Sequence, residues 1–543
     1  MMDCENNFFD RTTTIDLLKR RVIDLKDGYR QNIAFLGPRY IGKTSLLRKF
    51  LSDLDDDAVI PLYLDLDHRD ANYVFHKFAG SILYHLSKSI NLPLHDDLNL
   101  LLESTKKHIP QTVEEIKKIQ TSLTKGRISE AYRDLISLPE IFANESGKFC
   151  LIILDEFHNL EELGINNVFG ELGKKIMTQK KCLYLVASSL GDVAQQILSE
   201  RLSLLFGHFE VVHVGPFDLK TSQEFIEYNL RNIIIKPLLK NFLIDFTGGH
   251  PFYINMLCQE LIRLSILHNQ CEVYLPLLSQ AIENTIFSRW GILSRHFDLM
   301  MHHLSFSKAN AAVPRLLLAL AHGQNKLQDL VDATHLKKTF ITQKLNRLID
   351  LGILDKNGNY YHYVDKLLKY WIKYVFQKRM SMIDSTTQRQ KELFQKELES
   401  LVHDFTLISE RDLSARIIEL LHCFDNEAFT INGRRYKLPL FREINPMNRK
   451  KNTYESFDII KAESTEDVWF IILKESSLFE NEMDAFLAES KRTSQKKQKR
   501  VVISLSDLEA NVRLRALQER MWIWSENELN TLLSLYDKPY IVR

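Results

Sequence analysis

The stretch Asn32–Leu47 reads N-I-A-F-L-G-P-R-Y-I-G-K-T-S-L-L. Gly37, Gly42, Lys43 and Thr44 match G-x-x-x-x-G-K-[ST], with an apolar strand-like run, Ile33–Leu36, before it and a helix-forming run, Ser45–Leu54, after it. Two glycines let the backbone bend so that successive N–H groups surround phosphates. The following helix adds partial positive charge at its N-terminus. The loop residues Gly37, Pro38, Arg39, Tyr40, Ile41, Gly42, Lys43, Thr44 and Ser45 are therefore expected to hold ATP. Lys43 would supply a point charge to the β- and γ-phosphates, and Thr44 a hydroxyl to Mg²⁺.

Such a loop needs an acidic partner, and Cys150–Asn159, C-L-I-I-L-D-E-F-H-N, provides one. The apolar run predicts a strand buried on both faces, as in the middle of a parallel sheet. Asp155 and Glu156 follow at its carboxyl end, where ligands of open α/β sheets collect. Asp155 is expected to hold Mg²⁺, and Glu156 to orient and deprotonate the attacking water. A further buried strand, Lys181–Ser189, ends in two hydroxyls. Ser188 or Ser189 could sense the γ-phosphate or water; a helix cap explains each hydroxyl equally well.

Working outward, the length of 543 residues implies roughly three or four domains. With 45% hydrophobic and 26% charged residues, a packed core is feasible and global disorder is disfavoured. The formal net charge of +1 restricts any nucleic-acid binding to local patches. Six scattered cysteines without a C-x-x-C pair argue against zinc ribbons and disulfide scaffolds and suit a reducing cytoplasm. No signal peptide opens the chain and no apolar run is long enough to span a bilayer, so no membrane partner is expected. Phe8–Leu25 reads as an amphipathic helix after F-F-D-R, and Val59–Asp67 as a strand. Residues 72–148 are mostly helical in pattern, longer than one crossover needs, and are read as an insertion that offers a protein-partner surface.

The order F-x-D-R, G-P-R-Y-I-G-K-T-S-L-L, L-I-I-L-D-E-F, L-V-A-S-S and G-G-H-P-F-Y resembles the archaeal-type ATPase group, which is related to STAND NTPases and origin-recognition ATPases of the AAA+ class. The likeness covers about half of the chain. It implies an α/β P-loop core with a helical lid, and it implies that Gly249 and Pro251 of the lid sit near the nucleotide. By analogy with the class it also suggests ATP-linked homo-oligomers. Relatives often carry an arginine in an F-G-R context before the last core strand. Here that place reads Phe206, Gly207, His208, and Arg201 is the nearest candidate for a catalytic arginine finger.

From Ala311 the pattern gives three short helices and a hairpin over Asn357-Gly358-Asn359, a winged helix-turn-helix. Its third helix, Thr339–Leu351, would recognise DNA, with Lys337, Lys338, Thr342, Gln343 and Arg347 suited to phosphates and base edges. A packing or protein-binding module fits the same mildly basic face. Beyond a polar helix at 381–403, read as a linker, the last domain runs α-β-β-β-α-β-α-β, with Lys437–Ile444 as its first strand. This order resembles the restriction-endonuclease-like PD-(D/E)xK fold. Asp458 and Lys474 occupy two motif positions, but Ile472 stands where the second metal-holding acid belongs. Glu419, Glu443 or Glu475 would have to migrate in, so the simpler expectation is a degenerate, non-cutting domain.

The expected division is an ATPase core at 1–220 with the insertion at 72–148, a lid at 221–305, a winged helix at 306–380, a linker at 381–403 and the PD-(D/E)xK-like domain at 404–543. Three functions remain open: an ATP-driven switch on DNA, a signalling NTPase that binds proteins, and an ATP-gated nuclease.

Overall fold

Strands whose side chains are apolar on both faces can only be buried between two layers, and the first sheet is built that way. In the computed structural model β1 (Asn32–Leu36), β2 (Val59–Asp65), β3 (Phe149–Asp155), β4 (Cys182–Ser188) and β5 (Phe209–His213) pair in the order β2-β3-β4-β1-β5. All four pairings are parallel. Helices α1 (Thr12–Lys26) and α2 (Lys43–Ser52) cover one face, packing Leu18, Val22, Leu46 and Phe50 on Ile33, Phe35, Leu151 and Ile153. The other face, with Leu36, Ile152, Leu154 and Val186, is covered by α3 (Ala71–Ser89), α4 (Leu98–Thr105), α5 (Pro110–Thr124), α6 (Ile128–Ser146) and α7 (Val168–Thr178). The helical stretch expected at 72–148 thus forms much of a core layer: Phe75, Ile82 and Phe142 are fully enclosed.

The structure describes residues 8–67, 69–202, 209–305, 312–381, 387–431, 434–447, 457–490, 497–506 and 508–541. They fall into two compact units, one reaching Pro216 and the other starting at Phe217, with 350–352 grouped with the first.

The second unit opens with helices Leu219–Leu230, Pro237–Thr247, Pro251–His268, Leu275–Ile282 and Ile292–Ser305. Three helices follow, Val313–Ala321, Leu327–Thr334 and Lys338–Asp350, then a hairpin of Leu354–Asn357 and Tyr360–Tyr363. The stretch read as a polar linker helix is a helix, Thr387–Ser409, and it packs into the helices before it. Phe394 stacks on Phe287 at 4.8 Å between ring centres, and Phe405 meets Phe242 edge-on at 5.6 Å. Its apolar residues Phe394, Leu398, Val402 and Phe405 recur at helical spacing, which is why it is buried and not a tether.

A second five-stranded sheet closes the chain: Glu443–Pro446, Asp458–Glu463, Asp467–Lys474, Lys497–Ser504 and Trp522–Trp524, in that spatial order. The first two pairings are antiparallel and the last two parallel. Helices Leu413–His422 and Glu526–Leu535 pack on the face carrying Ile460, Trp469, Ile471 and Leu473. Helices Glu480–Ser490 and Ala510–Gln518 pack on the face carrying Ile459, Phe470 and Ile472. The single strand expected over Lys437–Ile444 does not form. The chain makes a separate hairpin, Ala428–Ile431 with Arg434–Lys437, and the next strand begins at Glu443. Pro439 lies between them; it has no N–H to give a ladder and interrupts the run.

Candidate nucleotide site

The helix α2 begins at Lys43, two residues earlier than its apolar pattern suggests, so Lys43 and Thr44 sit in its first turn. Gly42 immediately before it has φ 101°, a conformation that side chains rarely adopt. Gly37 is required for space: a Cβ there would lie 2.1 Å from the Val214 carbonyl oxygen. Between them Pro38, Arg39 and Tyr40 form the loop. Arg39 bonds Asp67 at 3.1 Å, exposed Tyr40 has φ 59°, and Ile41 is fully buried and anchors the loop in the core. Lys43 is itself buried, and its ammonium donates to the carbonyls of Gly37 at 2.7 Å and Pro38 at 2.9 Å. Burial lowers its pKa, opposed by the charges of Glu156 and Asp155. Ser45 continues the same helical turn.

Opposite the loop, β3 delivers Asp155 in a buried position. Its Oδ2 accepts from Thr44 Oγ1 at 2.7 Å and from Tyr63 Oη at 2.8 Å, and its Oδ1 accepts from the Glu156 N–H at 3.1 Å. Tyr63 carries no role in the sequence reading. The register Asp65↔Asp155 between β2 and β3 puts Tyr63 two residues back on the same face. Burial, then Asp155, raises the Tyr63 pKa, so the phenol stays a donor. Arg11, quoted in F-x-D-R without a role, also serves the loop. It donates to the Ile41 carbonyl at 2.8 Å and the Gly215 carbonyl at 3.0 Å. Burial brings its pKa down to about 10, against the opposing charge of Asp10.

Glu156 follows Asp155 with φ 53°, a left-handed conformation that costs a non-glycine residue of order 1–3 kcal/mol. Its Oε2 accepts from both the N–H and the hydroxyl of Ser189, each at 2.8 Å. The hydroxyl of Ser188 is differently engaged: it bonds the N–H and carbonyl of Leu190 at 3.1 and 3.2 Å and lies 2.9 Å from His158 Nδ1. Of the two serines, Ser189 is therefore the one on the acid. Arg201 forms an ion pair with Glu161 and lies over the Phe169 ring. Phe206, Gly207 and His208 lie outside the described residues.

The remaining sequence-predicted residues belong to the second unit. Pro251 occupies the first turn of helix Pro251–His268, and the Gly249 carbonyl accepts from the Phe217 N–H at 3.0 Å. On helix Lys338–Asp350, Ile341, Leu345 and Leu348 are buried, while Lys337, Lys338, Gln343 and Arg347 are exposed. The turn of the hairpin beside it is docked on the strand Ala428–Ile431. Asn357 donates from Nδ2 to the Thr430 carbonyl at 2.8 Å and accepts at Oδ1 from the Thr430 N–H at 2.7 Å. In the last sheet Asp458 stands directly opposite Leu473, so Lys474, the next residue, points to the other face. Asp458 accepts from Ser414 at 2.6 Å on one side; Lys474 is buried against both oxygens of Glu482, each at 2.7 Å, on the other. Of the basic run after Ser490, Lys491, Arg492 and Lys496 lie outside the described residues, and Lys499 Nζ lies 3.8 Å from the centre of the Trp522 ring.

Residues 8–257 match the model of an ATPase domain predominantly from Archaea. The chain is an ATP-binding ATPase. No curated protein matches the sequence. In shape it is similar to a Walker-type ATPase of Pyrococcus abyssi, with 17% identity, a TM-score of 0.48 and coverage of 67% of this chain and 96% of that one. It is also similar to the ORC2 protein of Aeropyrum pernix, with 14% identity, a TM-score of 0.44 and coverage of 70% and 98%. For the RuvB Holliday junction branch migration motor of Thermotoga maritima the values are 12%, 0.34, 68% and 98%. Among the described residues no helix is long and apolar enough to cross a membrane.

Proposed function

We propose that this chain uses ATP at Lys43, Thr44, Asp155 and Glu156 to drive a switch that acts on DNA. The observation that carries the first half is the meeting of the Thr44 and Tyr63 hydroxyls on one oxygen of buried Asp155. A hydroxyl oxygen and a carboxylate oxygen 2.7 Å apart suit Mg²⁺, which takes one or two protein oxygens and completes its shell with water and phosphate. When bound, Mg²⁺ neutralises charge on the phosphates. Lys43 exchanges its carbonyl acceptors for phosphate oxygens, which are stronger partners for a buried ammonium. Asp155 accepts from the Thr44 and Tyr63 hydroxyls, and Glu156 takes the proton of the attacking water.

The DNA half rests on the helix Lys338–Asp350, read as the recognition helix of a winged helix-turn-helix whose exposed side carries Lys337, Lys338, Gln343 and Arg347. Reversing the charge of Lys337, Lys338 and Arg347 together is expected to weaken duplex binding by several kcal/mol, about 1 or more per phosphate contact, and to flatten its salt dependence. A second reading has its own support. The hairpin turn is held by the reciprocal Asn357–Thr430 bonds, so this module also serves as a packing element inside the second unit. Titration of duplex DNA at several salt concentrations, with and without ATP, separates the two. Steep salt dependence abolished by the triple variant supports the DNA switch; binding that is absent or unchanged by the variant favours a protein-directed signalling ATPase.

A further inference from the structure

His158 has no part in the roles assigned above. It sits in the 3-10 turn Phe157–Leu163 that follows Glu156, with a side chain only 10% exposed. Its Nδ1 lies 2.9 Å from Ser188 Oγ and 3.5 Å from Glu156 Oε2. The direction of these contacts follows from counting hydrogens. Ser188 has one hydroxyl hydrogen, which it gives to the Leu190 carbonyl, while its oxygen accepts from the Leu190 N–H. The third contact of Ser188 is then satisfied by a hydrogen on His158 Nδ1, an assignment drawn from the network. That N–H also faces Glu156 Oε2, which accepts from the N–H and hydroxyl of Ser189 as well. Three contacts therefore gather on Oε2.

Glu156 needs such support. Its left-handed backbone persists only where the surroundings over-determine it. The ring of His158 bridges the turn that carries Glu156 and the end of β4 that carries Ser188. Burial holds the ring's pKa below its usual range, opposed by Glu156 and affected also by Arg39, Asp67 and Glu162; a neutral ring that donates from Nδ1 is consistent with this.

We infer that His158 is a positioning residue for ATP hydrolysis: with Ser188 and Ser189 it fixes Oε2 of Glu156, so that Oε1 is the oxygen presented to the attacking water. The water gives its proton to Oε1 as its oxygen bonds to the γ-phosphorus and the bond from that phosphorus to the β–γ bridging oxygen breaks. The inference rests on Glu156 as the base, and the test separates the two.

The test compares wild type with His158→Phe, His158→Asn and Glu156→Gln, measuring kcat, KM for ATP, affinity for a fluorescent ATP analogue and thermal unfolding. His158→Phe should lower kcat roughly 10–100-fold while KM and nucleotide affinity move less than about two-fold, the signature of a lost transition-state arrangement. His158→Asn keeps a short N–H donor and should recover most of that loss; because it is the milder change, it also keeps the test usable if the Phe variant fails to fold. A kcat for His158→Phe within about two-fold of wild type, with Glu156→Gln inactive, overturns the inference and leaves the base assignment standing. Loss of nucleotide affinity in step with kcat, or an Asn variant no better than Phe, also overturns it. Normal turnover by Glu156→Gln overturns the base assignment itself.

Discussion

The two five-stranded sheets of this chain offer similar residues at their strand ends and use them in opposite ways. In the first, β3 ends in Asp155, and hydroxyls from α2 and β2 converge on a single oxygen of it. In the second, Asp458 and Lys474 lie on neighbouring strands, yet the pairing of Asp458 with Leu473 turns them to opposite faces. Each then satisfies itself locally, Asp458 with Ser414 and Lys474 with Glu482. An acid and a lysine near one strand end make a site only if register brings them to one face. In the first sheet the register sets Tyr63 beside Asp155, whereas in the second it sets Asp458 and Lys474 on opposite faces.

The contrast can be broken most forcefully at Lys43. Lys43→Ala removes the ammonium of the loop and is expected to abolish ATP binding, read by titration of a fluorescent nucleotide; retention of wild-type affinity would remove the loop from the account. In the second sheet the lysine is structural. Lys474→Ala strands the buried Glu482 carboxylate, and breaking such a pair costs about 3–5 kcal/mol, seen as a lower denaturant midpoint. ATP turnover of the folded variant should stay near wild type.

A finer probe is Tyr63→Phe. It deletes one of the two hydroxyls on Asp155 Oδ2 and should cost about 1–3 kcal/mol, the range for removing one partner of a buried polar group. Denaturation in the absence of nucleotide reads this directly, and an unchanged midpoint would show the bond to be idle.

The smallest expected effect lies at the carboxyl ends of the parallel strands of the second sheet. Glu526 there lines a pocket of ≈ 410 Å³ with Glu475, Ser476 and Ser506. Burial, helped by Asp218, raises its pKa from the ordinary 4.5 to about 7. The folded state therefore holds the proton more tightly than the unfolded state. Its contribution to stability is full below about pH 4.5 and is lost as pH rises through about 7. Glu526→Gln should flatten that part of the pH profile of Tm, raising Tm at pH 8 by a few degrees at most. A profile that keeps the wild-type slope would contradict the assignment.

What was legible in the sequence follows the range of the contacts. Gly37, Gly42, Lys43, Thr44, Asp155 and Glu156 were readable because each belongs to a local strand–turn unit with fixed spacing. Tyr63 was not, because it reaches Asp155 from 92 residues away through the β2–β3 register. His158 was visible in D-E-F-H, but its use depends on β4 lying beside the turn. The opposite faces of Asp458 and Lys474 come from a one-residue offset that spacing cannot reveal. For the helix Thr387–Ser409 the signal was present in the spacing of Phe394, Leu398, Val402 and Phe405, and its polar residues outweighed it in the reading.

The convergence of one sheet and the divergence of the other meet in a single assay. Wild type and Glu156→Gln are incubated with ATP, Mg²⁺ and plasmid DNA, and ATP binding, phosphate release and DNA integrity are followed together. The account predicts that wild type releases phosphate, that Glu156→Gln binds ATP but releases phosphate at least about 10²-fold more slowly, and that the DNA stays intact in both. Phosphate release by Glu156→Gln at the wild-type rate, or DNA cleavage that vanishes in Asp458→Ala and Lys474→Ala, would contradict it.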